Sequence, residues 1–113
     1  MAEAHILTAR RDQVAQFRVI GRATFKVSRP FRRCAVKLLE EGVTTMTVDL
    51  SECEGMDSTF MGVLAMLGLQ GRGRTALIIV NASPQHRELL DTLGISRLFH
   101  FVDQPVEDVT WGT

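Results

Sequence analysis

Hydrophobic and polar positions alternate with a period of two over Val14 to Ile20: Ala15, Phe17 and Val19 share one side, Gln16 and Arg18 the other. That spacing predicts a half-buried strand. Ile6 to Ala9 predicts a shorter strand before it, and a turn at Arg11-Asp12-Gln13 joins the two as an antiparallel hairpin that Gly21 ends. The period then changes. Phe31, Ala35, Leu38 and Leu39 fall at i, i+4, i+7 and i+8, one face of a helix, with Ser28 as its expected N-cap, Pro30 in the first turn and Gly42 as its stop. Strands are predicted over Thr45 to Leu50 and Thr75 to Val80. The second is continuously apolar, as a strand covered on both faces of a parallel sheet would be. Between them lies an almost uncharged helical segment over residues 59–70. Ser83-Pro84 opens a third helix, with Leu89, Leu90 and Leu93 as its apolar stripe and Gly94 as its stop. Leu98 to Val102 predicts a last short strand, and the tail from Gln104 to Thr113 reads as a short final helix or a loose segment.

The resulting order, β-β-α-β-α-β-α-β, predicts an α/β fold with a mixed, mostly parallel sheet that begins in a hairpin. At 113 residues the chain is expected to be a single domain, 1–113, with a core of its own. Lys plus Arg and Asp plus Glu are each 13, so the chain lacks the basic footprint of a nucleic-acid binder. A net charge of zero gives little protection against self-association, which leaves a homodimer open. Cys34, placed on a helix, and Cys53, placed in a turn, show no metal spacing and no C-x-x-C pair, so both read as reduced thiols of a cytoplasmic protein. His5, His86 and His100 are scattered, and neither a metal nor a cofactor is expected. The N-terminus has an early acid and no sustained apolar run, which argues against a signal peptide. The helix over residues 59–70 is too short to span a bilayer and is interrupted by Gly62 and Gly68, so no membrane insertion is expected.

Candidate chemistry concentrates at Met56-Asp57-Ser58-Thr59, just after the third strand. There the hydroxyl of Ser58 meets the unsatisfied N–H groups of a helix N-terminus, a placement that suits a plain cap and a phosphoacceptor alike. No position from 58 to 70 is charged, so the helix carries more apolar side chains than one buried face requires and is expected to offer a docking surface. Ser58 has no G-x-S-x-G setting and no assigned base, so an enzyme is not expected. Gly71-Arg72-Gly73-Arg74 follows a helix and precedes a strand, the wrong side of the Gly-rich phosphate-binding motifs, and reads as a polar connector. Arg29, Arg32 and Arg33 sit early on their helix and Glu40 and Glu41 late, against the dipole, as either a solvated face or a basic patch for an acidic partner.

Val48-Asp49-Leu50-Ser51 followed by Met56-Asp57-Ser58-Thr59-Phe60-Met61-Gly62-Val63-Leu64 resembles the core of STAS domains of the anti-sigma-factor antagonist type. Those carry a D-L-S-like turn and then D-S-S-G-L-G-V-L opening a helix. The resemblance runs over nearly the whole chain, to Leu93-Gly94-Ile95-Ser96-Arg97-Leu98-Phe99. It implies a STAS-like fold and a regulator of transcription that works by partner switching. Unphosphorylated, such a protein binds an anti-sigma-factor serine kinase, a histidine-kinase-like ATPase; phosphorylation releases it. Carried over, the acceptor is Ser58, with Thr59 as the alternative, and the partner-binding residues are Asp57, Ser58, Thr59, Phe60, Met61, Thr24 and Phe25. Asp57 is expected to shape the helix start, because phosphoryl-transfer machinery would sit on the kinase. Where the family has Gly-Leu-Gly this chain has Phe60-Met61-Gly62, with Phe60 either buried or projecting into the partner and Gly62 expected to pack closely on the sheet. The alternative the resemblance leaves is a STAS scaffold that is never phosphorylated, a subunit of a transport or sensory complex.

Overall fold

Five strands in the spatial order β1-β2-β3-β4-β5 organise the protein, whose computed structural model describes residues 4–104. The expected tail segment, Gln104 apart, lies outside the described residues. The elements are β1 (His5–Arg11), β2 (Val14–Ala23), α1 (Phe25–Glu40), β3 (Thr45–Met56), α2 (Ser58–Gln70), β4 (Ala76–Val80), α3 (Pro84–Thr92), a 3-10 turn (Ser96–Leu98) and β5 (His100–Val102). Their order is the expected one. β1 and β2 form the antiparallel hairpin, turning at Asp12 with φ 54°, and every other neighbour pair is parallel.

Alternation along the strands decides where the core sits. Ala15, Phe17 and Val19 of β2, Met46, Val48 and Leu50 of β3, and Leu77 and Ile79 of β4 are all buried. They join Phe31, Ala35 and Leu38 of α1, Phe60, Leu64 and Leu67 of α2, and Leu90 of α3 in one cluster. All three helices therefore cover the same face of the sheet. Each crossover steps to the next strand in the same direction, and repeated right-handed connections keep their helices on one side. The apolar run of β4 predicted cover on both faces; instead Leu77 and Ile79 face the helices, and Ile78 points to the other side, partly buried.

Several boundaries differ from the sequence reading. α1 begins at Phe25 with Thr24 as its N-cap, not at Ser28. Ser28 is buried inside the helix, its hydroxyl donating to the Thr24 carbonyl at 2.9 Å, and Pro30 lies in the helix interior. Gly21, at φ +85°, falls within β2 and does not end it. β3 runs past Leu50 to Met56, so Cys53 is a buried strand residue and not a turn residue. Pairing of β3 with β4 stops at Asp49 opposite Val80, whereas pairing with β2 continues, through two register shifts, to Met56 opposite Ala23. The ends of β2 and β3 thus overhang the sheet as a two-stranded extension. On α3 only Leu90 of the expected stripe is buried; Leu89 and Leu93 are 40% and 49% exposed. β5 is confined to three residues, with Leu98 in the preceding 3-10 turn.

Candidate functional site

Asp57 stands at the tip of this overhang, in extended backbone, as the N-cap of α2. Its Oδ1 accepts the Phe60 N–H at 2.8 Å, the bond expected of a capping carboxylate. Its Oδ2 accepts the N–H of Phe25, the first residue of α1, also at 2.8 Å. The backbone N–H of Asp57 donates to the Ala23 carbonyl at 3.0 Å. One carboxylate therefore closes two helix N-termini that start 33 residues apart (Phe25 and Ser58), and a fixed negative charge lies between two positive dipole ends.

The two ends are satisfied to different degrees. In α1, Lys26 N–H bonds the Thr24 hydroxyl at 3.4 Å, and Val27 and Ser28 N–H bond the Thr24 carbonyl. In α2, Met61 N–H bonds the Asp57 carbonyl at 3.1 Å, but the N–H groups of Ser58 and Thr59 have no partner among the described residues. Ser58 and Thr59 are both exposed, and no described residue hydrogen-bonds their hydroxyls. Beside them Phe25 is 64% exposed, the highest figure among the described large hydrophobic residues. The structure thus brings together Thr24, Phe25, Asp57, Ser58 and Thr59.

It does not bring Phe60 and Met61 to that surface. Phe60 is fully buried, its ring stacked on Phe31 at 5.2 Å, and Phe31 meets Phe17 edge-on at 5.0 Å. Met61 is 5% exposed. The cap at Asp57 fixes this outcome: it sets Phe60 in register with Leu64 and Leu67 on the core face, at i+4 and i+7. Both residues are core, a correction to their expected place on the partner face. Gly62 is corrected the other way. It is exposed, and a Cβ built on it would meet nothing within 4 Å. Ser58, Gly62 and Leu69 mark an uncharged solvent face along α2, with Leu69 56% exposed.

Nearby acids and thiols are otherwise engaged. Asp49 accepts from Arg18 Nε at 3.1 Å and from Ser51 N–H at 2.9 Å. Burial pushes the Cys53 thiol above its ordinary pKa, against the pull of its bonds to the Gly55 and Ala23 backbone, so it is held as a thiol and not a nucleophile. Among the described residues no group of three His, Cys, Asp or Glu side chains is placed to hold a metal ion. None of the described helices is long and apolar enough to cross a membrane.

The family model described as Mlab, STAS domain matches residues 6–102. The chain belongs to the STAS family. No curated protein sequence matches it, so its relation to individual proteins is one of shape. This STAS domain is similar to an anti-sigma factor antagonist from Mycobacterium paratuberculosis, with a TM-score of 0.77 at 18% identity over 88% of this chain and 86% of that one. It is similar to the Bacillus cell-fate determinant SpoIIAA in its phosphorylated form, with a TM-score of 0.71 at 18% identity over 91% and 92% of the two chains. It is also similar to part of the murine anion transporter Slc26a9, with a TM-score of 0.68 at 16% identity over 93% of this chain and 21% of the transporter.

Proposed function

We propose that this STAS domain is an anti-sigma-factor antagonist: a cytoplasmic binding module, not an enzyme, switched by phosphorylation of Ser58. Unphosphorylated, it docks an anti-sigma serine kinase through Phe25, Thr24, Ser58, Thr59 and the uncharged face of α2. The observation that carries this reading is the exposed Ser58 hydroxyl at the first position of α2, next to the exposed Phe25 and beside two N–H groups, hydroxyl and N–H alike without a partner among the described residues. A phosphate there adds nearly two negative charges. The isolated domain tolerates it, because a helix N-terminus favours an anion by about 0.3–1 kcal/mol. Against a partner the same group must be stripped of water beside the Asp57 carboxylate, and that cost exceeds the dipole gain, so the complex separates while the fold persists.

Incubation with the anti-sigma kinase of the same organism and ATP is expected to add one phosphate by mass spectrometry. Ser58→Ala should abolish the shift, and Ser58→Asp should weaken kinase binding at least tenfold. Labelling that survives Ser58→Ala would move the acceptor to Thr59; no labelling by any cognate kinase would sink the switch. The Mlab family description and the likeness to a segment of Slc26a9 favour a second reading, a scaffold subunit that is never phosphorylated. It predicts stable co-purification with a transporter subunit, unaltered in Ser58→Asp.

A further inference from the structure

A cleft of about 710 Å³ opens at the end of the sheet where β4 begins, opposite the end that carries Ser58. Leu77 of β4 and Leu98 of the 3-10 turn line it, together with Arg72, Arg74, Arg97 and His100. Among the described residues no carboxylate lines it. Arg72, Arg74 and Arg97 form no ion pair among the described residues. With 13 basic and 13 acidic residues in the chain, this one-signed cluster is a matter of placement and not of composition.

The cleft is held by the local fold. Gly68 has no side chain where a Cβ would lie 3.0 Å from the Leu98 Cβ, so α2 and the 3-10 turn close on each other and bring Arg97 to the same cleft as the connector arginines. The connector is fixed by Arg74 N–H and Thr75 N–H, which donate to the Gly71 carbonyl at 2.9 and 2.7 Å. Gly73, at φ +82°, turns the chain between Arg72 and Arg74, a conformation that a side chain would strain. A polar connector needs neither this geometry nor a third arginine beside it in the same cleft, all three without an ion pair among the described residues.

We infer that this cleft binds a phosphate-bearing ligand, with the guanidinium groups of Arg72, Arg74 and Arg97 on the phosphate oxygens and Leu77 and Leu98 beneath the rest of the molecule. The planar donor fork of arginine matches phosphate oxygens two at a time. Recognition here would run through side chains, because the connector lies on the wrong side of helix and strand for a backbone phosphate cradle. The same chemistry is offered by a soluble phosphorylated metabolite and by a phosphomonoester lipid headgroup. The inference goes beyond the Ser58 switch and does not depend on it.

Inorganic pyrophosphate titrated into the isotope-labelled full chain at low salt tests it. Saturable amide shifts confined to the cleft residues from Gly68 to Leu77 and from Arg97 to His100 are expected. Arg72→Gln combined with Arg74→Gln, and separately Arg97→Gln, should weaken binding at least tenfold at an unchanged melting temperature. Arg29→Gln with Arg33→Gln on α1 should leave it as it was, and Ser58→Ala should bind like the wild type whatever the fate of the switch. Vesicles of phosphatidylcholine and phosphatidic acid in equal parts separate the sources. Retention that pyrophosphate relieves assigns a lipid headgroup, and pyrophosphate binding without retention assigns a soluble ligand. Shifts that do not saturate, that spread over the α1 arginines, or that persist in the cleft variants overturn the inference, as does vesicle retention that pyrophosphate leaves untouched.

Discussion

Asp57 carries more of this structure than a helix cap ordinarily does, because each of its oxygens serves a different helix. Asp57→Ala removes a cap bond, typically about 1 kcal/mol, and also the charge-assisted bond to the Phe25 N–H, for a further cost of about the same size. A loss of about 2 kcal/mol in urea unfolding is therefore expected; a loss near half of that would mean that only α2 depends on the carboxylate. Half of this role was legible in the sequence. An aspartate before an uncharged run announces a helix start, but its bond to Phe25 joins residues 32 apart and leaves no local signature. Phe60 was equally ambiguous until the cap position set the helical phase and turned its ring toward Phe31.

Among the elements, α2 was placed almost to the residue, because a single cap signal precedes it and no rival follows. α1 was not. Ser28 followed by Pro30 imitates a cap and a first-turn proline, whereas the true cap is Thr24 and the buried Ser28 hydroxyl turns back onto the Thr24 carbonyl. The extent of β2 and β3 was hidden for a related reason: Gly21 read as a stop and the segment after Leu50 as a turn, but the two strands support each other through register shifts that no single strand reveals. The solvent face of α2 yields a prediction of its own. Gly62→Ala should stabilise the domain by about 0.5–1 kcal/mol, since the new methyl meets open space and glycine is the poorer helix former. Gly62→Gln should keep much of that gain and, if the proposed kinase docks on this face, weaken the association at least tenfold by standing in its path. Unchanged binding, measured by calorimetry, would remove this face from the interface.

For the molecule as a whole, stability should depend on pH through His86. The imidazole is buried, accepts the Ser83 N–H at 3.2 Å in the capping box that starts α3, and bonds the backbone of Cys53. Burial lowers its pKa below the ordinary 6.5, against the opposing pull of the Cys53 bond. A histidine that protonates less readily when folded gives stability that is full above pH 6.5 and is lost as the pH falls from there through the depressed value, by about 1.4 kcal/mol for each unit of depression. Melting temperatures should fall over that window, and His86→Gln should flatten the profile; an identical slope in the variant would assign the loss to other groups. At this scale the order of strands and helices was legible throughout, because period-two and helical spacings alternate cleanly. The one-sided arrangement of the helices was not, since the apolar β4 imitates a strand enclosed on both faces. The β2–β3 overhang has a last consequence. With Ser58 following a two-ply ledge that runs beyond the last β3–β4 pair, a kinase acting at this proposed modification point would approach the tip without any part of the sheet having to yield.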